Sequence, residues 1–306
     1  MMAPDRSGTE GLDDGWAFDA DACAEALAET RLTTLPQHFT AAGSGLYLLI
    51  DPMLGDPVVS TPPDEGLAPD ALNAIRADAW ARPTFTLKVP AGLAFDAALA
   101  PYLVELQGPA DPWMDVSVHW AVQETVQSWV AEPGQPTPHR VGGWLQAAAF
   151  GPQLAQALSG CLQLSTQAHT STRYLRLADR RVLSLAVHVL STAVAAKNLS
   201  FLQHWHWLDS HAAWCSLSAP ANGAPERRSL PLATFSAEQW AQMAQGPVFH
   251  ARMADQIRQR LAQHDSVHPA QWRPVSADQW RAVLTHVQSG GATESKHSQK
   301  REDLSV

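Results

Sequence analysis

The spacing of apolar positions predicts several short strands in the first two thirds of the chain. Leu46 to Ile50 form a continuous apolar run that ends at Asp51 and Pro52, which predicts a buried strand because proline halts a strand ladder. Residues 83–89 alternate apolar and polar side chains, the period of a half-buried strand. Strands are also predicted at 102–106, 172–177, 204–207 and 212–217, whereas 141–149 fits either a strand or a helix.

Helical spacing of apolar residues appears in four further stretches, at 18–30, 117–130, 151–164 and 182–190. Ser236 and Ser276 each stand three residues before a glutamine, so each predicts a helix start with a capping box. Residues 252–263 predict another helix, and the proline-rich stretch 52–69 predicts a surface loop. These elements predict a mixed α+β fold with short mixed sheets and a helical C-terminal region.

The same patterns suggest limits for the parts of the chain. Residues 1–15 are polar and acidic and are predicted to be disordered, as is the tail at 288–306, which is rich in Ser, Gly, Lys and Glu. Between them we expect a mixed α/β region at 16–218 and a helical region at 219–287. A chain of 306 residues is long enough to bury a large core without disulfide bonds.

Charge and composition narrow the classes of partner. The chain carries 21 Lys and Arg against 30 Asp and Glu, a net charge of −9, and no basic cluster, so nucleic acid is not an expected partner. There is no apolar signal segment and no run long enough to span a bilayer, which predicts a cytoplasmic protein without a membrane partner. The three scattered cysteines fit buried thiols in a reducing compartment.

Catalytic motifs are scarce. Gly43-Ser44-Gly45 precedes a strand and does not link a strand to a helix, so it is not a nucleophile elbow, and no phosphate-binding glycine motif is present. His204 and His206 would share one face of a strand, and with His211 they could hold a metal ion. Interleaved tryptophans make an aromatic core strand the better interpretation, so we expect no metal and no cofactor.

One polar cluster stands between a predicted strand and a predicted helix. Asp179 is placed to cap the helix, where a carboxylate accepts backbone N–H groups and favours the positive end of the helix dipole. Arg176 and Arg181 flank it and could each bind a carboxylate. An ion-pair and cap network that orients the strand against the helix is the favoured interpretation, with direct partner binding as the alternative.

Three segments carry a family resemblance, in order along the chain: LYLLID at 46–51, APYLV at 100–104 and LRLADRRVL at 175–183. They resemble the strand and motif segments of the domain of unknown function 4123 family, and a tryptophan-rich stretch follows at 205–214. The resemblance covers residues 44–215. The chain differs from the family pattern at Leu177-Ala178, where Phe-Tyr is usual, at Arg180, where Pro is usual, and in a longer loop at 52–82.

The resemblance implies an adaptor and not an enzyme. Members of this family are implied to be type VI secretion chaperones with a two-lobed α/β fold, which bind a toxic effector and help to load it onto the trimeric spike protein. The motif residues carried over are Asp51, Pro101, Tyr102, Arg176, Asp179 and Arg181. Among the twelve tryptophans, candidate partner-binding residues are Trp205, Trp207 and Trp214. A metal-dependent hydrolase that uses His204, His206 and His211 is the alternative, and a structural or immunity protein also stays open.

Overall fold

The computed structural model describes most of the chain between residues 18 and 285. The described residues are 18–35, 39, 44–59, 67–89, 96–132, 135–166, 169–190, 195, 199, 201–218, 235–263 and 268–285. The ends predicted to be disordered, 1–15 and 288–306, lie outside this set, as does the predicted turn at 220–228.

A six-stranded antiparallel sheet forms the centre of the molecule, in the order β2-β3-β1-β4-β7-β8. Its strands are β1 (Gly45–Ile50), β2 (Thr84–Thr86), β3 (Tyr102–Leu106), β4 (Val141–Ala147), β7 (His204–Leu208) and β8 (Trp214–Ser218). A separate hairpin pairs β5 (Gln163–Thr166) with β6 (His169–Tyr174). The described strand pairs are thus all antiparallel, where mixed sheets were predicted.

Eight helices surround the sheet in the described part of the chain: α1 (Ala20–Thr34), α2 (Pro69–Trp80), α3 (Pro112–Val130), α4 (Gly151–Cys161), α5 (Arg180–Leu190), α6 (Ala237–Ala244), α7 (Gly246–Ala262) and α8 (277–285). The α+β prediction is confirmed. Both predicted capping boxes are present, at Ser236 with Gln239 and at Ser276 with Gln279.

Helix α2 occupies residues that the sequence analysis left in a long loop. It begins with Pro69 in its first turn, and the capping residue Ala68 makes no side-chain hydrogen bond. The start of this helix has no Ser, Thr, Asp or Asn cap and no clear apolar stripe. The prolines before it were the strongest local signal, and they predicted a loop. The described residues of the 52–82 segment are therefore partly loop and partly helix.

Two apolar clusters lie on opposite faces of the central sheet. On β1, Leu46, Leu48 and Ile50 belong to the cluster formed with α1 and α3, whereas Tyr47 and Leu49 belong to the cluster formed with α4 and α5. The expected two lobes are thus two packed layers on one shared sheet. This layering follows from the alternation of side chains along a strand.

The C-terminal helices pack on the same cores. Phe249 of α7 stacks on Trp280 of α8 with ring centroids 4.4 Å apart, and both belong to the cluster that contains α5. Ile257, farther along α7, belongs to the cluster on the other face. The described part of 219–287 therefore completes the core of the preceding region. No described helix combines the length and apolar character that a bilayer crossing requires.

Candidate functional site

The junction between β6 and α5 holds a chain of alternating charges, here called the junction network: Asp51, Arg176, Asp179 and Arg181. Asp51 follows β1, and its Oδ2 accepts a hydrogen bond of 2.5 Å from Nε of Arg176. Nη1 of Arg176 also lies 3.7 Å from Asp179 Oδ2. Arg181 donates to both carboxylate oxygens of Asp179, at 3.0 and 2.7 Å. Two segments of the family resemblance therefore meet in one ion-pair network.

Asp179 caps helix α5 as predicted. Its Oδ1 accepts the backbone N–H of Arg181 at 3.0 Å, and its carbonyl accepts the N–H of Leu183 at 3.0 Å. Burial acts to raise the pKa of Asp179, but the hydrogen bond and charge of Arg181 and the charge of Arg176 outweigh it, so the pKa is lowered. The carboxylate is ionised at neutral pH and fixes the start of the helix.

Arg180 anchors a second, deeper group of charges, the inner network: Arg180, Glu124 and Arg140. Nη1 of Arg180 donates to Glu124 and to the Val141 carbonyl, each at 3.0 Å, and Arg140 Nε donates to Glu124 at 2.8 Å. The Arg180 and Glu124 side chains are each only 2% exposed. The sequence analysis missed this pair, although an acidic residue among Ala121, Val122, Thr125 and Val126 was a usable signal.

The junction approaches the sheet very closely at Gly142 of β4. A Cβ atom at this position would lie 2.4 Å from the carbonyl oxygen of Ala178. Any side chain there would push the junction away from β4. The sheet, the junction and the inner network are thus held in one rigid arrangement.

Pro101 and Tyr102 lie away from the junction network, at the β2–β3 edge of the sheet. The Tyr102 hydroxyl donates to Asp56 at 3.0 Å and accepts from Trp80 Nε1 at 3.1 Å, and the Arg76 guanidinium lies 4.0 Å from the Tyr102 ring centre. The Pro101 carbonyl accepts the N–H of Leu87 at 2.8 Å. These two motif residues brace the β2–β3 edge and α2, and neither belongs to the junction network.

A cleft of about 740 Å³ opens beside the junction, between α5, α6 and α7 and the chain that leads from α3 into β4. Arg176, Asp179 and Arg181 line one wall of this α5–α7 cleft. The remaining walls are largely apolar, with Trp129, Leu185, Trp240, Met243, Met253 and Ile257. Volume and apolar lining lie within the range of ligand-binding clefts.

Two histidines that the sequence analysis did not single out, His139 and His250, line the same cleft. His139 is 3% exposed, and burial, followed by the positive charges of Arg180, Arg181 and Arg176, lowers its pKa well below the ordinary value. Burial and the charge of Arg181 lower the pKa of His250 to about 4. Both imidazoles are therefore neutral at neutral pH. No motif marks either residue, because they meet only through the fold.

The tryptophans proposed as exposed anchors are mostly core residues. Trp205 is 1% and Trp207 4% exposed, and the Trp207 indole N–H donates to Ser184 Oγ at 2.9 Å. Trp214 is half-buried, its ring 5.0 Å from that of Trp144, and its N–H donates to the Arg31 carbonyl at 3.2 Å. The prediction of partner-binding tryptophans is wrong for Trp205 and Trp207, because alternate residues of β7 point into the cores on both faces.

The histidines of the hydrolase alternative do not converge. The His204 and His206 rings stack with centroids 5.5 Å apart, and His206 packs against Phe39. His211 lies past the end of β7, where its Nδ1 is 2.9 Å from the Arg273 carbonyl oxygen. Within the described ranges no group of three His, Cys, Asp or Glu side chains is arranged to hold a metal ion.

The three cysteines are free thiols. Burial, with the nearby charge of Asp19, raises the pKa of Cys23 to about 11, and burial raises that of Cys161 to about 12. Burial also raises the pKa of Cys215 well above its ordinary value. All three are protonated at neutral pH, so none has the character of an activated nucleophile.

Comparisons of the chain with protein-family models, with curated proteins and with solved structures find no match. The family resemblance therefore stays a prediction that rests on its three sequence segments.

Proposed function

We propose that the chain is an adaptor chaperone of a type VI secretion machine, which binds a toxic effector in the cytoplasm and delivers it to the spike protein. The observation that carries the proposal is the junction network, in which motif residues 125 positions apart, Asp51 and Arg176, form a direct hydrogen bond. The third motif segment is adjacent, since Ile50 of β1 pairs with Tyr102 of β3. Residues that resemble a family pattern in separate segments thus support one another physically.

The α5–α7 cleft fits the holding of a partner better than it fits catalysis. Two hydroxyl groups at the cleft are engaged, since Ser184 Oγ donates to the Arg180 carbonyl and Ser128 Oγ donates to the Thr125 carbonyl. Neither His139 nor His250 has a carboxylate hydrogen-bonded to it among the described residues. A general base that activates a nucleophile is usually oriented by such a third group. Apolar walls with methionine side chains, in contrast, adapt to polypeptide surfaces.

The test is co-expression with the proteins encoded beside this gene, followed by gel filtration. We expect one of them, a toxin, to elute together with the chain as a complex that also binds the spike protein. Ala251 is exposed and lines the cleft, so Ala251→Arg, which places a positive charge against the apolar walls, should abolish co-elution. Val248 on the same helix is exposed and not part of the cleft lining, so Val248→Arg is the matched control and should bind normally. Elution of the wild-type chain apart from every candidate cargo and from the spike would refute the proposal.

Metal-dependent hydrolysis is the competing hypothesis, and metal analysis of the purified chain separates it from the adaptor. Stoichiometric zinc that disappears in a His204→Ala, His206→Ala variant would favour the hydrolase. The adaptor proposal predicts no stoichiometric metal in the wild-type chain and unchanged cargo binding by this variant.

A further inference from the structure

The central sheet has two edge strands in the described part of the chain, and helices cover the edge at β2. The Thr86 N–H donates to Asn73 Oδ1 of α2 at 2.8 Å. The Lys88 N–H, just after the strand, donates to Ser159 Oγ of α4 at 2.8 Å. Leu87, between them, donates in the opposite direction, to the chain that leads into β3. The N–H groups of Thr86 and Lys88 that point away from the sheet are therefore bound within the chain.

The edge at β8 is open among the described residues. Asp209 follows β7, and its N–H donates to the Ala213 carbonyl at 3.0 Å, so Ala213 bonds towards β7. Hydrogen bonds alternate in direction along an antiparallel strand, so Cys215 also bonds towards β7, and Ser216 points its N–H and carbonyl away from the sheet. Ser216 is exposed, and no described residue hydrogen-bonds to these two groups. At Ser216 the strand thus presents backbone donors and acceptors to solvent.

The residues of β8 carry none of the side chains that usually protect a sheet edge. Native proteins protect such edges with charged side chains, prolines, bulges or covering elements. β8 (Trp214–Ser218) contains no charged residue and no proline, and its register against β7 is continuous. Residues 210–220 contain no Lys, Arg, Asp or Glu, in a chain in which 17% of the residues are charged. At five residues, β8 is long enough to pair with another strand.

We propose that β8 forms a homodimer interface, in which the β8 strands of two copies of the chain pair antiparallel about a two-fold axis at Ser216. In this register the whole strand pairs, because Trp214 lies opposite the partner's Ser218 and Cys215 lies opposite the partner's Leu217. The Ser216 N–H and carbonyl of each copy bond to those of the other copy. The two six-stranded sheets become one continuous sheet.

The composition of β8 fits a second copy as the occupant of this edge. A two-fold axis places the strand against its own reversed sequence, so a charged residue at its centre would meet the same charge, which is destabilising. An uncharged strand avoids this, although each copy has a net charge of −9. On one side of the sheet Cys215 meets the partner's Leu217, beside the apolar cluster to which Leu217 belongs. On the other side Ser216 meets the partner's Ser216.

The first experiment needs only the full chain. Sedimentation velocity at about 1 to 200 μM should show a reversible equilibrium between monomer and dimer. Ser216→Pro removes the outward N–H but no bond to β7, so it should weaken dimerisation about tenfold or more and leave the circular dichroism spectrum unchanged. Ser216→Ala keeps both backbone groups and should dimerise as the wild type does. A wild-type chain that stays monomeric, or a folded Ser216→Pro variant that dimerises normally, would overturn the proposal.

The second experiment tests the two-fold register. Ser216→Lys and Ser216→Asp each place like charges opposite one another, so each variant alone should dimerise about tenfold or more weakly than the wild type. An equimolar mixture of the two should form a heterodimer, because opposite charges then meet. Gln153 is exposed on α4, which packs at the other edge of the sheet, so Gln153→Lys is the control and should dimerise normally. Failure of the mixture of two folded variants to associate would contradict the register.

This proposal and the adaptor proposal fail in different ways. No residue of β8 lines the α5–α7 cleft, so the homodimer does not depend on the proposed function. A dimer that binds no cargo supports the β8 interface and refutes only the adaptor function. A monomeric wild-type chain whose cargo binding is lost in Ser216→Lys would assign β8 to the cargo and refute the homodimer.

Discussion

The junction network and the inner network contain the same kinds of charged side chain but differ in their exposure to solvent. In the inner network Arg180 and Glu124 are each 2% exposed, and Arg180 makes four hydrogen bonds, to Glu124, to Thr125 and to two backbone carbonyls. In the junction network the carboxylates of Asp51 and Asp179 are buried as well, at 1% and 3% exposed, but Arg176 and Arg181 are 22% and 27% exposed and line the α5–α7 cleft. The first closes the core, whereas the second leaves charged and polar groups at a surface that a partner can reach.

Because of this difference, the inner network should contribute mainly to stability and the junction network mainly to binding. A buried ion pair whose partners are fully satisfied resists change, because removing one partner strands the other charge in the core. A partly exposed pair is screened by water, so it contributes less to stability and is free to face a ligand. We therefore expect substitutions in the inner network to reduce mainly the stability of the fold. Substitutions at the cleft should reduce mainly the binding of a partner.

The largest expected loss of stability follows from Glu124→Ala. It leaves the Arg180 charge without its carboxylate, and we expect the free energy of unfolding in urea to fall by about 3–5 kcal/mol. Replacing both partners with apolar residues, Glu124→Leu with Arg180→Met, should restore much of this loss. A change below about 1 kcal/mol in the single variant would contradict a structural role for the inner network.

A smaller loss is expected at the junction network. Asp179→Ala removes the cap of α5 and the bonds to Arg181, and we expect a loss of about 2 kcal/mol in the same urea measurement. Asp179→Asn keeps an oxygen that can accept the backbone N–H of Arg181, so it should lose less. Equal losses in the two variants would show that the cap contributes nothing.

Acidification should lower the stability of the fold through His139 and His250. His139 and His250 have lower pKa values in the folded chain than the ordinary 6.5, so the unfolded chain binds more protons as the pH falls below 6.5. Between pH 6.5 and pH 4.5 this lowers the free energy of unfolding by roughly 2–3 kcal/mol for His250 alone, and His139 adds to the loss. The fall should be shallower in His250→Phe, measured by urea unfolding from pH 7 to pH 4.5. An equally steep fall in that variant would contradict the burial of a neutral His250.

The smallest effect is expected at a fully surface-exposed ion pair. Arg281 and Asp278 on α8 are 72% and 88% exposed at a distance of 2.8 Å. We expect Asp278→Asn to change the free energy of unfolding by less than about 0.5 kcal/mol, because water screens such pairs. A loss as large as that of Asp179→Ala would show that exposure does not separate the networks.

Local signals in the sequence predicted much of the fold. The run at 46–50 and the strand at 102–106 appear with nearly the predicted limits, because β-branched and aromatic residues and flanking prolines mark them directly. The caps at Asp179, Ser236 and Ser276 were also predictable, since a cap depends on residues only two or three positions apart. Helix α2 lacked such a cap and was missed.

The site was harder to predict because its parts are distant in the sequence. Arg176, Asp179 and Arg181 were singled out as one polar cluster, Asp51 came only from a motif segment, and the fold brings the four together. His139 and His250 come from a loop and a helix 111 positions apart, and no local pattern links them. Trp205 and Trp207 were misjudged because composition says nothing about which face of a strand is covered.

Photo-crosslinking tests most directly whether the α5–α7 cleft holds a partner protein. Benzoylphenylalanine replaces Ala251, which is exposed within the cleft, or Phe150, which is 75% exposed and lies outside the cleft lining. Each chain is co-expressed with the cargo candidate and irradiated, and the adduct is identified by mass spectrometry. We predict a cargo adduct from position 251 and none from position 150. Adducts from position 150 alone, or from neither position in a chain that still binds cargo, would contradict the assignment of the cleft.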